Sequence, residues 1–172
     1  PDGQYIGMMV AGQKGGLRIH RLADGKRVKM DRNYGTQNYW VDFSVNGEVV
    51  TTSNDGYIRL YDKGFSLKAK VKMDEESEPN AAVFSTDGQM IAVGVGNQIK
   101  VAVLSANKLE PLYYPDLHTA GGPFSLLAWS RDGNNDIIVY RRSGEADVKV
   151  YRTSYENDIG QEEMISDPAY IE

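Results

Sequence analysis

The chain has 172 residues, 41% hydrophobic and 25% charged, enough for one domain that buries roughly 70% of its unfolded surface and too apolar for a disordered chain. Its net charge of −5 argues against a nucleic-acid partner, because phosphate binding needs concentrated Lys and Arg, and no apolar run approaches the ~20 residues of a membrane helix. The lack of cysteine excludes disulfides, thiolate metal sites and a cysteine nucleophile; it fits cytoplasm and periplasm equally, and a cytoplasmic location is expected.

In chain order, the sequence opens on Pro1-Asp2-Gly3, with no initiator Met and no signal-like segment. This reads as the tail of a repeat copy, and the chain as a fragment or processed piece. The apolar run QYIGMMVAG predicts a strand, Gly15-Gly16 a turn, LRIHRL (Leu17 to Leu22) a second strand and KRVKM a third. Lys14, Lys26, Arg27, Lys29 and Arg32 form a local basic excess on a solvated strand-and-turn edge.

The next unit is the clearest. YWVDFS predicts an inner strand, FSVNG (Phe43 to Gly47) a turn, EVVTTSN a strand and Asn54-Asp55-Gly56 a tight hairpin with the φ > 0 residues it needs. IRLYDK (Ile58 to Lys63) and LKAKVKM complete it. The acidic run Asp74-Glu75-Glu76-Ser77-Glu78 reads as a solvated connection, without the spacing or turn glycine of a calcium loop.

The order then recurs as FSTDG (Phe84 to Gly88), QMIAVGV and IKVAVL, and again as SLLAWS, WSRDG (Trp129 to Gly133), DIIVYR and VKVYRT. A last outer strand is expected around Glu163-Met164-Ile165, then a tail. The turn glycines Gly3, Gly47, Gly88 and Gly133 are 44, 41 and 45 residues apart, the ~40–45-residue period of a four-stranded propeller blade. Period-2 alternation and glycine turns dominate, with no sustained 3.6-residue pattern, so the expected fold class is all-β.

At these residues the sequence resembles the WD-repeat family of β-propellers. VDFSVNGEVVTTSNDGYIRLYD, residues 41–62, follows the family unit almost position by position, with Tyr61-Asp62 in the place of Trp-Asp. More narrowly, the chain is similar to bacterial WD-repeat proteins, some of which carry a caspase-like peptidase domain; nothing here belongs to a peptidase. The resemblance implies a propeller of four-stranded antiparallel blades. About three and a half are present, half of a seven- or eight-bladed ring, with blades near 1–31 (partial), 32–76, 77–118 and 119–166 and a tail at 167–172. In the family a His, a strand Ser or Thr, a turn Asp and the Trp form a structural hydrogen-bond network. Only Asp55 and His118 carry over, and no blade holds a complete set.

A blade has two apolar faces and cannot bury them alone, so the stack must close. Closure is expected from a homodimer that completes the ring or from upstream blades of the same parent chain.

Catalytic signals are nearly absent. His20 and His118 lack metal-ligand spacing, and there is no nucleophile elbow, so the chain is expected to be non-enzymatic, without metal or cofactor. Binding is the expected role, as a scaffold or sensor module that takes a protein partner on the rim of inter-blade loops and middle hairpins. The candidates are Tyr39, Trp40, Asp42, His118 and Arg142. Trp40 is either an anchor or inter-blade packing. Asp42 replaces the apolar residue found at Val83 and Ala128, and either faces a wet central channel or contacts a ligand. Leu112-Tyr113-Tyr114-Pro115-Asp116 is a second aromatic patch. The alternative is a small-ligand or enzymatic propeller whose channel site is completed by missing blades or a second subunit.

Overall fold

The computed structural model describes residues 2–73, 78–95, 100–115, 126–130, 137–140 and 148–151. Among the described residues, alternating apolar residues between glycine turns produce fourteen short strands in four antiparallel sheets, with no helix. Sheet one is β1 (Tyr5–Val10), β2 (Gly16–Arg21) and β3 (Arg27–Asp31). Sheet two is β4 (Asn38–Phe43), β5 (Val49–Ser53), β6 (Tyr57–Tyr61) and β7 (Leu67–Lys72). Sheet three is β8 (Pro79–Phe84), β9 (Met90–Val95), β10 (Lys100–Ser105) and β11 (Pro111–Tyr113), so the Leu112–Asp116 patch partly forms an outer strand. Sheet four is β12 (Leu126–Trp129), β13 (Ile137–Tyr140) and β14 (Val148–Tyr151). The outer strand expected near Glu163–Ile165 lies outside the described residues.

Within each sheet the strands pair in sequence order, as hairpins dictate. Between sheets, the innermost strands adjoin in succession, β4 beside β8 and β8 beside β12. Each sheet also rests one strand further out on its neighbour, β1 on β4 and β5 on β8. Small sheets stacked face to face around a row of inner strands are the blades of a β-propeller. Among the described residues sheet one has three strands, with β1 at its edge.

The core lies between blades. Leu17 and Ile19 of sheet one meet Val49, Tyr61 and Phe65 of sheet two. Val50, Ile58 and Leu60 on the other face of sheet two meet Ala82, Ile91, Val93 and Leu104 of sheet three. Ala92, Val101 and Val103 meet Leu127 and Trp129 of sheet four. Most of these side chains are completely buried, and each Leu or Ile so buried contributes roughly 1.5–3 kcal/mol. Gly7 permits the close approach of the first two sheets, since a Cβ there would lie 2.8 Å from the Phe43 ring. Phe65 and Leu109 hold left-handed backbone, φ 64° and 60°, in the turns before β7 and β11. Both side chains are buried between sheets, which offsets the conformational cost.

Candidate functional site

The rim where inner strands begin is formed by the β3–β4 connection, the β5–β6 hairpin and the start of β8. The β4–β5 register slips between Asn38 and Trp40, leaving Tyr39 as the extra residue of a bulge. Bulges re-aim side chains, and the Tyr39 hydroxyl reaches the Gln37 side-chain oxygen at 3.3 Å on the exposed rim. Burial, with Glu78 nearby, raises the Tyr39 pKa. A second slip, between Pro79 and Ala82, shapes the start of β8 in the same way.

Trp40 and Asp42, two residues apart on β4, share the face turned to sheet three. Trp40 packs against the core that sheets three and four share, and its Nε1 is buried with no hydrogen-bond partner among the described residues. The Asp42 carboxylate accepts the Phe84 amide at 2.9 Å and so ties β4 to the neighbouring inner strand. Burial raises its pKa, against the lowering effect of the Phe84 and Phe43 amides. His118 and Arg142 lie outside the described residues. Of the five rim candidates, Tyr39 is the one whose polar end is placed on the exposed rim, while Trp40 and Asp42 are engaged between blades.

Asp55 belongs to a network beneath that rim. It accepts the Ser53 hydroxyl, the Tyr57 amide at 3.1 Å and the Arg59 guanidinium. Burial opposes the charge on Asp55, but these donors, Arg59 foremost, hold its pKa below the usual carboxylate range. Arg59 is 1% exposed; it also donates to the Asn33 carbonyl at 2.7 Å and lies 4.2 Å from the Tyr34 ring centroid. The Tyr34 hydroxyl is 2.7 Å from both the Thr51 and Tyr61 hydroxyls. The family pattern of His, Thr, Asp and Trp is thus rebuilt in sheet two with Tyr34, Thr51, Asp55 and Tyr61, and Arg59 bridges Asp55 to the aromatic. Sequence reading took only Asp55 from this group. The signal it passed over is the basic residue at the second position of every repeat strand, at Arg18, Arg59, Lys100 and Lys149.

On the opposite rim, Tyr5 and Phe65 meet edge to face at 5.0 Å beside a cavity of about 240 Å³ that Asp2, Asn46 and Lys63 also line. No group of three His, Cys, Asp or Glu side chains able to hold a metal occurs among the described residues.

No protein-family model matches the chain. No curated protein matches it significantly. Solved structures do: 626 chains match, a fold so widely shared that it does not select a function. One is the crystal structure of the mitotic checkpoint complex, with TM-score 0.72 and 15% identity over 88% of this chain and 45% of the matched chain. Another is dihydro-heme d1 dehydrogenase NirN in complex with DHE, with TM-score 0.70 and 16% identity over 96% of this chain and 36% of the matched chain. The chain therefore has the fold of a β-propeller, and it spans less than half of either matched chain.

Proposed function

We propose that this chain is a non-catalytic protein-interaction module that holds a protein partner on the rim around Tyr39. The observation that carries this reading is the bulge on β4, which turns one tyrosine to the rim while its neighbours Trp40 and Asp42 are taken up between blades. Tyrosine on a rigid support supplies amphipathic contact area at low entropic cost, and Gln37 ties its loop to Asn54 of the hairpin that carries Asp55 and its Arg59–Tyr34 network. The exposed rim neighbours Thr36, Gln37 and Glu78 are polar or acidic, which favours a protein surface over a phosphate backbone. The mitotic checkpoint structure is of a complex, in keeping with such a role. NirN is a dehydrogenase, so the fold also supports enzymes; the bond from the Phe84 amide to the Asp42 carboxylate supports a structural role for that inner-strand residue.

Affinity capture with the intact chain tests the rim. Tyr39→Ala is expected to lower partner recovery at least about tenfold with an unchanged melting temperature, as for an interface anchor. Equal recovery from wild type and Tyr39→Ala would overturn the assignment.

A further inference from the structure

The outer strands of sheets one and two, β3 and β7, concentrate charge of the sign opposite to the whole. They carry five of the chain's 19 basic side chains and one of its 24 acidic ones, in a protein of net charge −5. Stacking of the sheets brings the two strands together. The Lys29 ammonium of β3 lies 5.4 Å from the centroid of the Tyr61 ring in sheet two. On β7, Lys70 lies 3.9 Å from the Tyr57 ring centroid, and Lys72 pairs directly with Tyr57. Side chains two apart on a strand share a face, so Lys70 and Lys72 stand about 7 Å apart on the side of sheet two that Lys29 approaches.

The carboxylates nearby are committed elsewhere. Asp55 holds Arg59, Glu48 holds Lys68, and Asp31 accepts the Tyr61 hydroxyl. Lys29, Lys70 and Lys72 form no ion pair among the described residues. Lys70 also stands opposite Arg59 in the β6–β7 register, and like charges set opposite each other destabilise a sheet. A carboxylate arriving from outside relieves that repulsion.

β7 is at the same time an edge: among the described residues sheet two ends at it, and one side of its backbone pairs with no strand. Lysines along an edge repel the strands of most other chains. For a strand with carboxylates at the same two-residue spacing, that repulsion becomes attraction. Ala69 and Val71, between the lysines, turn the opposite way onto the core shared with sheet three, so a strand added beside them meets an apolar face there.

We infer that the β7 edge is a docking site for an extended segment of a partner protein in which acidic and apolar residues alternate. The segment adds to sheet two as a fifth strand and sets its carboxylates on Lys70 and Lys72, with Lys29 adding to the positive field. The charge distribution selects this occupant. A nucleic-acid duplex or an anionic bilayer is broad enough to meet the chain's acidic remainder as well, whereas a single strand meets only the lysines. This edge lies on the outer circumference, apart from the Tyr39 rim, and the two sites stand or fall separately.

The test titrates a fluorescein-labelled, nine-residue peptide of alternating glutamate and valine into the full chain at low ionic strength, with anisotropy as the readout. Saturable binding is expected, with new hydrogen-exchange protection over Leu67–Lys72. The double variant Lys70→Glu with Lys72→Glu is expected to weaken binding at least about tenfold at an unchanged melting temperature, since two exposed ion pairs become repulsions. Tyr39→Ala is expected to bind the peptide as wild type does. A peptide of the same composition with its glutamates in one block should bind at least about tenfold more weakly, because its carboxylates lose the two-residue spacing. Absent saturable binding, equal affinity of the block peptide, or protection outside β7 would each overturn the inference. So would a DNA duplex or phosphatidylserine vesicles that bind the full chain and are released by the double variant, which would put a polyanion on the lysines.

Discussion

The hydroxyls of Tyr34 and Tyr61 lie 2.7 Å apart and form the middle of a chain of four groups from Thr51 to Asp31. Its direction follows from counting hydrogens. The Asp31 carboxylate accepts from Tyr61, so Tyr61 accepts from Tyr34, which in turn accepts from Thr51. Another polar contact between blades runs from a side chain to a backbone carbonyl, from Trp129 Nε1 to Val83 at 2.9 Å.

That chain predicts alkaline sensitivity. Burial pushes the Tyr34 pKa up to about 12, against roughly 10 for a free tyrosine. The folded state therefore holds the proton more tightly than the unfolded state. Stability is fully present below pH 10 and falls as the pH rises toward 12, by on the order of 2 kcal/mol. Chemical denaturation between pH 8 and pH 12 should show this slope, and Tyr34→Phe should reduce it, leaving the part due to buried Tyr61, whose pKa is also raised, while lowering stability at pH 8. An unchanged slope in the variant would remove Tyr34 as its source.

Arg59 and Asp55 predict an asymmetry. The Arg59 side chain is 2% exposed and that of Asp55 is 23% exposed. Asp55→Ala strands a buried cation and is expected to cost about 3 kcal/mol, the lower end for breaking a buried pair because Asp55 is partly solvated. The double variant Asp55→Ala with Arg59→Met removes the charge as well and should recover a substantial part of that loss. Urea melts of the four proteins in the cycle check this, and strictly additive losses would contradict it.

Asp42 behaves oppositely to a surface carboxylate. Because burial raises its pKa, protonation favours the folded state, and its contribution is present at acid pH and lost as the pH rises through its folded pKa. Asp42→Asn keeps an oxygen for the Phe84 amide without a charge to desolvate. It should melt at or above wild type at pH 7, with the difference vanishing below about pH 4. Asp42→Ala leaves that amide unpartnered and should cost about 1–2 kcal/mol. A drop in stability for Asp42→Asn at pH 7 as large as that for Asp42→Ala would refute the role given to burial.

Much of the architecture was legible in the residues alone. The turns after Phe43, Phe84 and Trp129 and the alternating strands LRIHRL and IRLYDK set the repeat, because hairpin chemistry and the two-residue side-chain period are local properties. The direction of Trp40 and Asp42 was not legible, because which inner-strand residues meet the next blade depends on the bulge at Tyr39 and on how the sheets stack. Nor was the joining of Tyr34 to Thr51 and Tyr61, 17 and 27 residues away, since a hydroxyl's partner is set by the face it is folded against and not by its neighbours in the chain. Local backbone preference made the blades; only their stacking decided which polar side chains became cement and which stayed at the rim.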